Sequence, residues 1–189
     1  MRAHKIITGA IVTGALLLSG TQMLRAQVNA TTQDTKEGQR GQLSESDYRF
    51  LEKAARGGME EVELGQLAQQ KGTSQEVRNF GQRMVADHTK LNNELKQIAS
   101  QKGATLPTQL SHHENSSIQH LQNATGADFD KTYSKDMVKD HQKDLKEFQS
   151  AAQKVTNPDL RTFAQKAVAT LQEHLSLAEN IENNIKTEK

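Results

Sequence analysis

The sequence predicts an all-α domain, a bundle of four long helices, and three observations carry that prediction. Helix formers dominate the composition: Ala, Gln, Lys, Glu and Leu are abundant, aromatic residues make up 4%, and there are two prolines. Four stretches place apolar residues at alternating steps of three and four, the period of one helix face. Ser, Asn, Gly and Pro punctuate those stretches where helices start and stop.

The 189 residues suffice for one ordinary domain plus an extension, and a domain of that size buries a core without cross-links. There is no cysteine, which excludes disulfides, thiolate nucleophiles, iron–sulfur clusters and cysteine-ligated zinc.

Residues 1–5 are short and basic, with Arg2, His4 and Lys5, and residues 6–18 form an apolar run of 13. A bilayer span needs about 20 apolar residues, so the run fits a secretory signal peptide over residues 1–26, with cleavage after Ala26 or as late as Ala30. An uncleaved anchor is the alternative. The signal reading implies a periplasmic or secreted protein of bacterial type, with no stable transmembrane segment once the signal is removed. Residues 27–43 are polar, without apolar periodicity, and read as a flexible linker. The folded domain is expected over residues 44–186.

Three of the 24 basic residues lie in the first 26, which hold no acid, so the remainder carries 21 basic against 23 acidic residues. A near-neutral domain with interspersed signs has no electrostatic footprint for nucleic acid.

The first helix opens at Ser44 or Ser46, with Glu45 and Asp47 suited to its first turn, and ends at Lys71-Gly72. Its seam runs Phe50, Ala54, Gly57, Glu61, Leu64 and Ala68. The second begins after Thr73-Ser74 and stops at Lys102-Gly103, with a seam of Val77, Phe80, Met84, His88, Leu91, Leu95 and Ile98. The third runs from near Asp128 to about Val155, with Tyr133, Met137, Val138, His141, Leu145, Phe148 and Ala152. The fourth starts at Asn157-Pro158, a capping residue followed by Pro at the first helical position. Its seam is Leu160, Phe163, Ala167, Val168, Leu171, His174, Leu177, Ala178 and Ile181.

Short links after the first and third helices force antiparallel neighbours. The link from Gly103 to Ala127 is about 25 residues and carries an apolar rhythm at Leu110, Ile118 and Leu121, which predicts a short extra helix. A link of that length crosses from one end of the bundle to the other. The second and third long helices then run parallel, the one-crossover topology of ferritin-like bundles. An echo also joins these two helices: Met84-Val85-Ala86-Asp87-His88 matches Met137-Val138-Lys139-Asp140-His141.

Glu61, His88, His141 and His174 each sit near the middle of their helix on the apolar seam, so they are expected in one central layer. Burying three imidazoles and a carboxylate unpaired is costly. A divalent transition metal, Zn, Fe, Mn, Co or Cu by ligand type, satisfies all four together. A metal-free hydrogen-bonded network is the competing arrangement. Asp87, Asp140 and Glu173 each precede a histidine and lie about 100° around the helix from it. Each either orients a histidine of a neighbouring helix through its ring N–H or stands as exposed charge at the seam edge. Val85, Val138 and Leu171 occupy the positions where a di-iron site places Glu-x-x-His carboxylates, so two irons would lack ligands. His112, His113 and His120, in the crossover, read as solvated. No phosphate-binding loop, nucleophile elbow or His-Glu-x-x-His stretch is present.

Five segments taken together resemble the bacterial exported family catalogued as domain of unknown function 4142. They are residues 61–68 (Glu-Val-Glu-Leu-Gly-Gln-Leu-Ala), 84–88, 129–133 (Phe-Asp-Lys-Thr-Tyr), 137–141, and Glu173-His174-Leu175. The resemblance covers about residues 47–181 and implies a ferritin-like bundle in the bacterial envelope without implying a reaction. Three functions fit: a metal-binding bundle for storage, buffering, sensing or redox and stress defence; a metal-free envelope stress or interaction module; and a redox enzyme, which needs an open coordination position. The sequence leaves protein partners and oligomeric state open.

Overall fold

The computed structural model describes residues 38–187; the predicted signal segment and most of the linker lie outside the described residues. Five helices lie wholly within them: α1 Glu45–Lys71, α2 Gln75–Gln101, the short α3 His112–Asn123, α4 Gly126–Lys154 and α5 Pro158–Thr187. Among the described residues there is no strand.

Local chemistry sets the ends. The Ser44 hydroxyl accepts from the Asp47 N–H at 3.1 Å and opens α1, and Ser74 does the same for Val77 on α2. Ser111 and Glu114 form a reciprocal cap on α3. The Asn157 side chain accepts from the N–H groups of Asp159 and Leu160 and starts α5. Such caps are worth about 1 kcal/mol each.

Within the expected linker, residues 38–40 are helical and Leu43 is buried. Gln42 donates its N–H to the Lys102 carbonyl, and Gln39 accepts from Thr105.

Two buried carboxylates fix the order of the helices. Asp47, in the first turn of α1, accepts from the N–H groups of Thr156 and Asn157 at 3.0 and 2.9 Å, so α1 begins beside the α4–α5 turn. Asp130, near the start of α4, accepts from Thr73 and Ser74 at 2.9 and 2.7 Å, so α4 begins beside the α1–α2 turn. α2 therefore runs from the Asp130 end to the Asp47 end, and α4 runs in the same direction. The connection containing α3 returns the chain between the two ends.

These reciprocal clasps expose a repeat that the echo between α2 and α4 misses. Asp47 and Asp130 are 83 positions apart, and the same offset pairs residues 72–85 with 155–168. It matches Thr73 with Thr156, Ser74 with Asn157, Arg78 with Arg161, Phe80 with Phe163 and Gln82 with Gln165. Arg78 and Arg161 each bond back to the carbonyl of the turn threonine. The hairpin α1–α2 thus corresponds to α4–α5, and α2 corresponds to α5. The matching five-residue segments of α2 and α4 are not equivalent positions in this repeat.

Within the first hairpin the backbones approach closely at Gly65 and Gly81. A Cβ on either would meet the other's carbonyl oxygen, at 2.8 and 2.6 Å. The apolar core then falls into two clusters. One holds Leu51, Leu95, Val155 and Phe163; the other holds Leu64, Phe80, Tyr133 and Ile181. Between them, at the middle of the four long helices, lie the buried polar residues Glu61, His88, His141 and His174.

Candidate metal centre

His88 from α2, His141 from α4 and His174 from α5 converge where the two clusters meet. Each presents one ring nitrogen such that the three lie within 4.8 Å of one another. Ring centroids are 5.3 Å apart for His88 and His174, 5.4 Å for His141 and His174, and 6.1 Å for His88 and His141. Phe80 closes one side, with its ring 6.1 Å from His174 and 6.5 Å from His141.

Hydrogen bonds fix which nitrogen faces inward in two of the rings. His141 Nδ1 lies 2.9 Å from the Met137 carbonyl and must donate to it, which leaves Nε2 with a lone pair. His174 Nε2 lies 2.9 Å from Asp87 Oδ2 and donates to the carboxylate, which leaves Nδ1 as the inward lone pair. No hydrogen bond sets the tautomer of His88, whose buried Nε2 is without a partner. These three atoms, His88 Nε2, His141 Nε2 and His174 Nδ1, are buried and have no hydrogen-bond partner.

Burial keeps all three rings neutral. It holds His141 down to about 4, helped by the neighbouring His174. Burial also pushes His88 well below the ordinary imidazole value, with His141 and His174 adding to the effect. His174 is lowered by burial as well, opposed by the Asp87 carboxylate. Neutral imidazoles with inward lone pairs are the form that ligates metal. Nitrogens on one tetrahedral zinc sit about 3.3 Å apart, given bonds of about 2.0–2.1 Å, so small side-chain rotations close the trio onto an ion.

The flanking acids separate into three roles. Asp87 orients His174 across the helix interface and is itself held by Arg83. Burial opposes its charge, but the bonds from Arg83 and His174 keep its carboxyl below the usual range. Glu173 does not touch a histidine; it shares Arg83 with Asp87 at 2.7 Å and stands in solvent. Asp140 does not bond a histidine ring either. It lines a chamber beside α1 that His113 of α3 and His88 of α2 also border. Replacing Asp87 with Asn should weaken metal binding about 10–100-fold with the helices intact, because the His174 tautomer is no longer fixed; calorimetric titration beside circular dichroism checks this.

Glu61 is buried in the same layer but is not part of the three-histidine group. Its Oε2 has no hydrogen-bond partner. Burial and the negative charges of Asp144, Asp140 and Glu60 push it well above the ordinary carboxylate range. The crossover histidines His112, His113 and His120 are exposed. Met84 and Met137 lie in the apolar cluster beside the site. Sequence reasoning passed over two residues here. Asp144 was hidden by its place between seam positions, and Arg83, which holds two acids, by its distance in sequence from Glu173.

Among the described residues no helix is long and apolar enough to cross a membrane. No curated protein and no solved structure matches the chain. The family model described as Domain of unknown function (DUF4142) matches residues 32–181, most of the chain and all three histidines of the cluster, and the protein belongs to that family.

Proposed function

We propose that this is an exported protein of the cell envelope, a ferritin-like four-helix bundle that holds one transition-metal ion between His88, His141 and His174. One observation carries the metal reading: three buried imidazoles bring ring nitrogens within 4.8 Å of one another, each ring has an unpartnered nitrogen, and two have the tautomer set by an outer hydrogen bond. Leaving such atoms unsatisfied costs about 1–3 kcal/mol each, and a cation removes the cost at once. Three nitrogen donors suit Zn, Cu, Fe or Mn, with Cu and Zn the tightest by intrinsic affinity. Three protein ligands leave a fourth position for water or substrate, which fits storage, buffering, sensing or redox and stress defence. The envelope location rests on the basic and apolar pattern of residues 1–26.

The metal-free alternative, a structural or interaction module, draws on the same two outer bonds, which already satisfy half of His141 and of His174. It has to account for the three inward nitrogens. Metal analysis of the untagged mature protein from its own periplasm separates the two. About one equivalent of one metal, lost in His88→Ala combined with His141→Ala, supports the site. No metal in either protein, and no melting shift with Zn, Fe, Mn or Cu, leaves the hydrogen-bonded core.

A further inference from the structure

Glu61 is anomalous as a structural residue. It is 4% exposed, one oxygen has no partner, and the charges acting on it, from Asp144, Asp140 and Glu60, are all negative. It lines a chamber of about 120 Å³ that all five helices border, together with Asp144, Asp140, Glu60, His88, His113 and Lys143. A water takes about 30 Å³ of liquid, so the space suits about four waters or a cation with part of its hydration shell. Gly57 also borders the chamber, and a Cβ there would meet nothing within 4 Å.

The repeat explains why two carboxylates meet here. Glu61 and Asp144 are 83 positions apart, the offset of the Asp47 and Asp130 clasps. They are equivalent residues of α1 and α4, which pack against each other, so the repeat brings the pair together across its own interface. The histidines do not repeat: the same offset pairs His88 with Leu171, Gly58 with His141, and Leu91 with His174. An acid is thus kept at both equivalent positions of a half-buried chamber in which like charges repel. The nearby cations do not neutralise the buried member. Lys53 bonds Glu147 and, with Lys143, acts on Asp144, while Lys143 and His113 act on Asp140; the charges that act on Glu61 itself are all acidic.

We propose that Glu61 and Asp144 bind a hard divalent cation in the chamber they both line, a second site distinct from the three histidines. Oxygen donors with room for retained waters suit Mn²⁺, Mg²⁺ or Ca²⁺ rather than the nitrogen-preferring metals. His88 lines the chamber as well, so the two ions are neighbours.

Mn²⁺ is the probe. The full-length mature protein is first saturated with zinc to fill the histidines. It is then titrated with Mn²⁺ at pH 7.5, with free Mn²⁺ read by electron paramagnetic resonance. The expected result is one Mn²⁺ per chain, weakened about 100-fold or more in Glu61→Gln and in Asp144→Asn, since even outer partners are worth about 10–100-fold. His141→Leu should lose zinc and keep Mn²⁺. Circular dichroism establishes that each variant is folded, and Asp144→Asn, at the half-buried position, decides alone should Glu61→Gln unfold. No Mn²⁺ uptake by the wild type overturns the proposal, as does equal uptake by both amide variants. Loss of Mn²⁺ only in His141→Leu also overturns it, since the ion then sits among the histidines. Failure of zinc to bind the wild type defeats the three-histidine reading instead, and the Mn²⁺ titration of the metal-free protein then judges the carboxylate site by itself.

Discussion

Zinc at 100 times its dissociation constant should raise the melting temperature of the metal-free protein by about 5–10 °C, and replacing His141 with Leu should abolish the rise. Binding to the native state alone stabilises by about 2.7 kcal/mol at that concentration, and a domain of this size gains about 2–4 °C per kcal/mol. Leu approximates the volume of the imidazole, so the variant removes a ligand without opening a large cavity. The same variant carries a pH signature without metal. His141 stays neutral in the fold down to about 4, whereas the unfolded chain takes a proton near 6.5. The unfolded state therefore binds more protons between those values, and wild-type stability falls as pH drops through that window. The loss from this one ring is about 3 kcal/mol and should be missing from His141→Leu. Asp144 titrates with the opposite sign. Burial raises it to about 6, so its neutral form favours the fold at low pH and the benefit is lost as pH rises toward 6. Comparing wild type with His141→Leu by urea melts at pH 4.5 and 7 isolates the histidine.

Alanine at Asp47 should cost about 3 kcal/mol, and alanine at Asp130 about the same. Each carboxylate is nearly fully buried and accepts from two backbone N–H groups and a threonine hydroxyl of the opposite hairpin. Hydrogen bonds to a charged group are worth about 1.5–3 kcal/mol, and removing the carboxylate leaves buried donors unsatisfied. The clasps hold the two hairpins in register at opposite ends, and the histidine layer lies between them. The double variant should therefore lose zinc affinity as well as stability, although neither aspartate belongs to the histidine cluster. Asp47 adds acid sensitivity. Burial opposes its charge, but the bonds from Thr156, Asn157 and Ser44 win and hold its carboxyl below the ordinary value. That stability is present above the unfolded carboxylate range and is lost as pH falls through the folded value. Urea denaturation of the single and double variants, with zinc titration of those that fold, checks both effects.

Helix positions were legible because capping residues and the three–four rhythm report local geometry directly. The seam of α2 agrees with the structure at Val77, Phe80, Met84, His88, Leu95 and Ile98. The seam of α1 does not agree throughout. Leu51, Ala55 and Gly58 face the core, while Ala54 and Gly57 are half-buried, because a helix packed between two neighbours buries a face wider than one row. Leu177 was placed on the seam beside Ala178, but it is 39% exposed, since only one of two adjacent helical positions can point inward there.

The three histidines were legible as a layer, since each sits at a core position of a helix whose direction the link lengths fix. Glu61 shares the layer and lines the same chamber as His88, while the group of ring nitrogens within 4.8 Å of one another holds the three histidines. Asp47 reads locally as a first-turn acid, and its long-range role appears only once the 83-residue repeat is recognised. That repeat was visible in the turns, in Thr73-Ser74 and Thr156-Asn157 with their following Arg and Phe, but not in the histidine segments that drew the comparison to α2 and α4.

Anomalous diffraction at the zinc edge from crystals of the zinc-loaded protein tests the central claim most directly. One peak is predicted in contact with His88 Nε2, His141 Nε2 and His174 Nδ1, with the Asp87–His174 bond retained. Zinc found only on the exposed His112, His113 or His120, with the buried trio unliganded, would contradict it.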